Sequence, residues 1–331
     1  MRSVREWLAD HWGLEVSDFQ AVGPVWRATT ERGDFCVKFA KHGTAKMLFH
    51  HYAIESLFQN KFSDTPRLLP NRLGEPFSEL PEGLLTVSPW VGRPLDETSP
   101  SEWRRAAAAL GRFHRASIDL RLPAGVKPIT FGGKWSKRLP ERVIEWKRAM
   151  RAFHLPRNEF EQRVRDEGAP IFVAAQAASE ALQRSAYDEM VDALQETPAL
   201  VHGNVKGENF AVEEDGRVSL IDFDSFRVDV PVQDLADLLT HVVHAFGGSQ
   251  TAAQDVLLAY HEQHPLSPAE ANVLIALMSY PYAVHKVVHK YVEDGRSVEK
   301  SLRKWKRAVE EWQTLEPFLE KWASWLTSRV E

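Results

Sequence analysis

Cysteine is almost absent: Cys36 stands alone among 331 residues. That excludes an intrachain disulfide framework and any cluster of several thiolates, and it favours a reducing compartment. A single thiol between apolar neighbours is expected to be a small, buried strand residue. Long apolar runs are missing as well. No stretch approaches the roughly 18 consecutive apolar residues of a membrane-spanning helix. Met1 to Glu6 lead into an amphipathic pattern and not into an apolar segment, so no secretory leader is expected. Nor is there an excess of positive charge. Lys and Arg number 41 against 46 Asp and Glu, a formal net charge of -5, so no basic field exists to gather nucleic acid by counterion release. Low-complexity tracts are lacking too, and with 44% apolar and 26% charged residues the chain is globular and long enough for two lobes. These absences predict a soluble, cytoplasmic protein with neither nucleic acid nor membrane among its partners.

What is present is concentrated late in the chain. Val201-His202-Gly203-Asn204-Val205-Lys206-Gly207-Glu208-Asn209-Phe210 is followed by Leu220-Ile221-Asp222-Phe223-Asp224. Between them lies a hairpin signal: Phe210–Val212 reads as a strand, Glu213-Glu214-Asp215-Gly216 as a turn and Val218–Ile221 as the returning strand. That hairpin sets Asn209 and Asp222 side by side at one rim. Two oxygen donors there, with phosphate oxygens and water completing the shell, suit Mg2+. Taken alone, an Asp-Phe-Asp after an apolar run is only a strand end. The joint spacing of His202, Asn209 and Asp222 is what points to a phosphate site. Phosphoryl transfer needs metal ligands, a phosphate-pairing Lys and a residue that orients the attacking hydroxyl. Kinase-type loops carry Asp two residues after the His. Here that position is Asn204, whose amide orients a hydroxyl but is not a useful base. Asp224, two residues after Asp222, is the nearby carboxylate open to base work or to a second metal role.

The first third of the chain supplies the other half of such a site. Residues 3 to 12 pattern as a short helix, followed by strands at Val16–Val22, Val25–Thr30 and Asp34–Phe39. Lys38 lies in the third strand, the strand that in kinases carries the phosphate-pairing Lys, and a helix over Lys46–Gln59 offers Glu55 as its partner. The loop Ala21-Val22-Gly23-Pro24-Val25-Trp26 holds one glycine beside a proline. Such a loop has few free amide donors for phosphate, which predicts weakened nucleotide affinity. Leu84–Trp90 reads as a strand running into a hinge, where Trp90 either lies against an adenine ring or plugs the interface between lobes.

From Ser99 onward the pattern is helical. Ser99-Pro100-Ser101-Glu102 is a capped start, and Trp103, Ala106, Ala107, Leu110, Phe113 and His114 recur at helical spacing, His114 as a core residue. A helical insert is expected over residues 121 to 198, broken near Leu155-Pro156 and again at Gly168-Ala169-Pro170. His241 with His244, and His285 with His289, share helix faces but lack the companions of a metal site, and read as polar positions on packed helices. The last helix, Ser301–Trp325, carries an apolar stripe of Trp, Leu and Val expected to dock on its own lobe.

Taken together, His202-Gly203-Asn204 with Asn209, and Ile221-Asp222-Phe223-Asp224, resemble the aminoglycoside phosphotransferase and choline kinase superfamily. Gly133-Lys134-Trp135, Ala181–Tyr187 and Ala109–His114 resemble its spore-coat kinase-like (CotS) branch, and the likeness runs from about residue 15 to about residue 300. The resemblance implies an α+β, bilobal protein-kinase-like fold: an N-terminal lobe with a small antiparallel β-sheet over 1–88, a hinge at 89–96 and a helical C-terminal lobe over 97–331. It implies ATP and Mg2+ as cofactors, with Lys38, Glu55, Trp90, Asn209 and Asp222 contacting the nucleotide, Asn209 and Asp222 holding the metal, and His202, Asn204 and Asp224 at the catalytic position. The acid matching Asp234 braces the catalytic loop. The insert, and the lack of an Ala-Pro-Glu segment after Asp222, argue against a protein kinase. The resemblance further implies spore coat proteins as partners and incorporation in the coat, while the acceptor, small molecule or protein, stays open. Three functions remain at this point: a nucleotide-binding protein weakened or inactive in transfer, an active small-molecule phosphotransferase, and a structural coat protein without nucleotide.

Overall fold

Period-two alternation between residues 16 and 39 builds the smaller lobe of the molecule. The computed structural model describes residues 3–40, 42–118, 120–131 and 133–330. Ser3 and Glu6 form a capping box that starts α1 (Val4–Trp12), whose Leu8 and Trp12 turn inward. Strands β1 (Val16–Val22), β2 (Val25–Thr30) and β3 (Gly33–Phe39) follow, then α2 (Thr44–Gln59), β4 (Ser78–Leu80) and β5 (Gly83–Pro89), in an antiparallel sheet ordered β1-β2-β3-β5-β4. Phe35 and Val37 of β3 pack with Leu8, Trp12, Leu85 and Val87. Alternation therefore puts Cys36 and Lys38 on the opposite face, toward the large lobe. Cys36 is half-buried, and that burial pushes its thiol up to about 11.

The large lobe begins as β6 (Arg93–Pro94) pairs with a strand of the catalytic hairpin. Ser99 caps α3 (Pro100–Ser117), which is followed by α4 (Trp135–Ala152), α5 (Glu159–Arg184), α6 (Tyr187–Ala193), β7 (Leu200–Val201), β8 (Phe210–Val212), β9 (Val218–Leu220) and β10 (Arg227–Val228). Helices α7 (Val232–Ala245), α8 (Gln250–Gln263), α9 (Pro268–Ser279), α10 (Tyr282–Val292) and α11 (Val298–Val330) complete it. A mixed α/β chain with an antiparallel small lobe and a helical large lobe is the expected class. The main core gathers Trp103, Leu110 and Phe113 of α3 with Leu235, Leu238 and Val242 of α7 and Tyr260 of α8. At Gly111 helices α3 and α8 come so close that a Cβ would stand 2.8 Å from the Tyr260 carbonyl oxygen. The stripe on α11 is buried on its own lobe: Trp305 stacks on Trp146 of α4 with ring centroids 6.1 Å apart, and Trp322 and Leu326 are fully covered.

One local expectation fails and one element was unforeseen, each for a physical reason. Helix α5 runs unbroken through Gly168 and Pro170. Pro170 faces solvent, so water can take the carbonyl it leaves unbonded, and Gly168 lies against Trp146 where α4 and α5 pack. Packing between the two helices outweighs both breakers. Strand β4 was not anticipated, because its three residues carry too little pattern.

Candidate active site

The catalytic hairpin places its donors by register. Phe210 faces Leu220 and Val212 faces Val218, and beyond the ladder the Ile221 N–H donates to the Asn209 carbonyl over 3.0 Å. Asn209 and Asp222 therefore leave the hairpin as neighbours. The Asn209 Nδ2 donates to the Asn204 carbonyl at 2.7 Å, which leaves its Oδ1 as the acceptor. Asp222 adopts φ 65° and ψ 70°, a left-handed conformation that costs a non-glycine residue on the order of 1–3 kcal/mol. It turns the carboxylate toward the small lobe.

Lys38 meets it there. Its Nζ is 2.6 Å from Asp222 Oδ1 and 2.8 Å from Asp224 Oδ1, which joins β3 to the turn after β9. Burial alone would lower the Lys38 pKa, but the two carboxylates outweigh it and raise it, so the group is an ammonium. Asp224 thus faces the small lobe, and its carbonyl also accepts from Lys46 of α2 at 2.8 Å. The expected Lys38–Glu55 pair is not formed. Glu55 accepts from Arg67, whose Nε is 2.9 Å away, on another side of α2. Helix phase explains this: nine residues at about 100° each put Glu55 about half a turn around from Lys46. The face toward Asp224 carries Lys46 and, one turn on, the buried His50. Burial and the neighbouring Lys46 depress the His50 pKa to about 4.

The rest of the cleft is sparse. Gly23, at φ +58°, is the one glycine of the β1–β2 loop and has open space around it. Trp90 follows β5, donates its N–H to the Asp34 carbonyl at 2.9 Å, and carries the Arg27 guanidinium over its ring at 5.3 Å. Its indole lies at the linker between the lobes.

Behind the cleft, the catalytic loop is pinned from α7. Asp234 accepts from the N–H groups of His202 at 2.6 Å and Gly203 at 2.9 Å, and lies 3.1 Å from His114 Nε2. Burial would raise its pKa, but these bonds hold it below the usual carboxylate range. Gly203 has φ +74°, and a Cβ there would stand 2.6 Å from the Ser225 carbonyl oxygen, so glycine is required. His202 is only 1% exposed, its ring Nε2 lies 2.9 Å from the Ile221 carbonyl, and burial lowers its pKa. The imidazole is therefore a neutral strut that donates from Nε2, with no access to the cleft.

Asn204 looks the other way, into a cavity of about 1550 Å3. Trp135 of α4, Arg184 of α5, Asp237 and His241 of α7, and Tyr282 of α10 share its lining. Sequence reasoning missed Asp237. The i, i+3 spacing from Asp234, which puts both carboxylates on one side of α7, was the available signal. Asp237 meets cavity solvent but is ringed by protein. Surrounding protein first, and then the neighbouring Asp234 charge, raise its pKa, with Arg227 opposing, and the exposure of the side chain to cavity solvent limits the rise. His285 and His289 are remote from the site and both face Glu145 Oε2, at 3.1 and 3.3 Å.

Comparison with known proteins follows this geometry. Residues 20–269, well over half of the chain, match the APH family model, described as phosphotransferase enzyme family. An aminoglycoside phosphotransferase from Alicyclobacillus acidocaldarius superposes with a TM-score of 0.81 at 15% identity, covering 100% of this chain and 97% of that one. The amicoumacin kinase hAmiN, in complex with AMP-PNP, Ca2+ and Ami, gives 0.59 at 16% identity over 96% of this chain and 92% of that one. The choline kinase LicA from Streptococcus pneumoniae gives 0.52 at 17% identity over 94% and 98%. At these identities the likeness is one of fold.

Proposed function

The chain belongs to the phosphotransferase enzyme family, and we propose that it binds ATP with Mg2+ between Lys38 and the Asn209–Asp222 rim and transfers the γ-phosphoryl group slowly. The observation that carries this is the convergence of Lys38, Asp222 and Asp224 within 2.8 Å from opposite lobes. Asn209 Oδ1 and the Asp222 carboxylate are the groups that would hold the ion, an oxygen donor set suited to a hard cation. Among the described residues no group of three or more His, Cys, Asp or Glu could hold a metal by itself, so phosphate and water would supply the remaining ligands. Bound there, Mg2+ supplies charge neutralisation at the phosphate oxygens.

Lys38, released from part of its carboxylate pairing, would pair the phosphates, and Trp90 would lie beside the base. That a kinase of the same fold is named with AMP-PNP and Ca2+ supports such a cleft. Asn204 would orient the acceptor hydroxyl through its side-chain amide. Loss of a positioned base costs about 10²–10⁴-fold, or about 3–5 kcal/mol of barrier, which makes transfer slow. His202 serves as a strut behind the loop, and Glu55 has no part in holding Lys38. A cavity of about 1550 Å3 has room for a small-molecule acceptor, in line with neighbours named for aminoglycosides and choline. A place in spore coat assembly rests on the CotS-like segments Ala109–His114, Gly133–Trp135 and Ala181–Tyr187.

Thermal unfolding with and without Mg·ATP tests the cleft. Saturation at about 100 times Kd adds about 2.7 kcal/mol, so the wild type should melt several degrees higher and Asp222→Ala should not. A wild-type melting temperature indifferent to Mg·ATP would overturn the proposal.

A further inference from the structure

Asn204 leaves the catalytic loop without a base, yet carboxylates lie close by. Asp224 is turned to the small lobe and bonded to Lys38. Asp234 is only 1% exposed and occupied by His202, Gly203 and His114. Glu97 is exposed and lines the same cavity as Asn204, but its side chain abuts Gly207, three residues past Asn204, where a Cβ would stand 2.7 Å from its Cγ. Asp237 differs from all three. It sits one turn beyond Asp234 on the same side of α7, and Asp234 grips the two residues that immediately precede Asn204. It opens into the same cavity as Asn204 and makes no hydrogen bond or ion pair among the described residues.

On the premise that ATP binds in the cleft, we infer that Asp237 is the general base that Asn204 cannot be. The acceptor hydroxyl, its oxygen held by the Asn204 amide N–H, gives its proton to an Asp237 carboxylate oxygen. Its oxygen forms the new bond to the γ-phosphorus while the bond from phosphorus to the bridging oxygen breaks, and that electron pair leaves on ADP. The proton is returned to solvent through the cavity. A carboxyl that meets cavity solvent and has its pKa raised by the surrounding protein and by Asp234 suits this task, being ionised often enough to act and more basic than an ordinary carboxylate.

The acceptor is unidentified, so water serves as the probe: Mg·ATP hydrolysis by the full chain, beside calorimetric titration of Mg·ATP. Four proteins are compared, the wild type, Asp237→Asn, Asn204→Asp and the double variant. Asp237→Asn should bind Mg·ATP as the wild type does and hydrolyse it at least about 100-fold more slowly, the low end of base-loss effects. Asn204→Asp should hydrolyse faster than the wild type. In that background Asp237→Asn should matter by less than about 3-fold, because the restored acid makes it redundant. A fast double variant also shows that Asp237→Asn folds. Equal hydrolysis by wild type and Asp237→Asn overturns the inference, as does bound ATP with no turnover, or an equally large Asp237→Asn loss in both backgrounds, the mark of a structural role. Absence of Mg·ATP binding to the wild type instead removes the premise.

Discussion

The two sides of the catalytic loop are built on opposite principles. On the cleft side the charges are already paired: Lys38 with Asp222 and Asp224, and Lys46 with the Asp224 carbonyl. On the cavity side Asp237 faces open space in the cavity that Asn204 also lines, within walls drawn from seven helices. A phosphate and its ion ask for the same few donors whatever the acceptor, so a hairpin and one strand suffice to place them. An acceptor must be fitted by shape, and that is the work of tertiary packing. The charged cleft is preorganised by the backbone; the cavity is defined by what surrounds it.

Asp234 belongs to both sides, since it pins the loop that carries Asn209 on one face and Asn204 on the other. Asp234→Ala is the change expected to have the largest effect. It strands the His202 and Gly203 N–H groups and the His114 imidazole in a dry interior. Removing one member of such a buried network costs about 3–5 kcal/mol, a fall in melting temperature on the order of 5–10 °C. If the loop is one unit, the Mg·ATP-induced shift disappears with it. Calorimetry showing a full ligand shift in this variant would mean that the cleft is held independently of α7.

Acid separates the two sides less sharply. His50, behind the cleft, and His264, beside His114 under the cavity, are both depressed to about 4, chiefly by burial. In the unfolded chain they titrate near 6.5. Above that pH both states are neutral and the histidines contribute nothing to the balance. Below it the unfolded chain takes up protons first, so stability falls progressively as pH drops from about 6.5 toward 4. The histidine share of the melting temperature should be absent above roughly pH 7 and appear as a decline beneath, partly opposed by Asp237, whose raised pKa makes the folded chain take up that proton first. His50→Phe, in a site already lined by Phe49 and Phe226, should remove the His50 share of that decline. An unchanged slope in this variant would show that His50 is not a source of it.

These features differ in how far they can be read from residues alone. The hairpin, Lys38 on β3 and the Ser99 cap rest on local spacing and lie where spacing puts them, while the bracing acid Asp234 was implied by the family resemblance and does hold the loop. The burial of His114 follows from its helix face in the same way. Helix α5 through Pro170 was not legible, because only the contact of Gly168 with Trp146 of α4 reveals what outweighs the breaker. The cavity and Asp237 were hidden for a related reason. Its walls come from segments far apart in the chain, and a polar residue on an amphipathic helix looks the same whether it meets bulk water or an internal cavity. For Glu55 the type of residue and the helix were right, but the phase of the helix against the other lobe is set by packing.

That phase supports the smallest of the expected effects. Glu55→Gln breaks an ion pair with Arg67, a side chain 51% exposed, and exposed pairs contribute about 0–1 kcal/mol. Stability should drop by no more than that, and Mg·ATP affinity should stay within about 2-fold, since under about 0.4 kcal/mol of coupling is expected between sites without shared partners. Lys46→Met, by contrast, removes the donor to the Asp224 carbonyl and should weaken Mg·ATP binding measurably in the same titration. If Glu55→Gln proved the more damaging of the two, α2 would have to rotate when nucleotide binds, bringing the acid round to Lys38. The paired cleft described here would then be a resting arrangement, and the preorganisation that distinguishes it from the cavity would belong to the unliganded state alone.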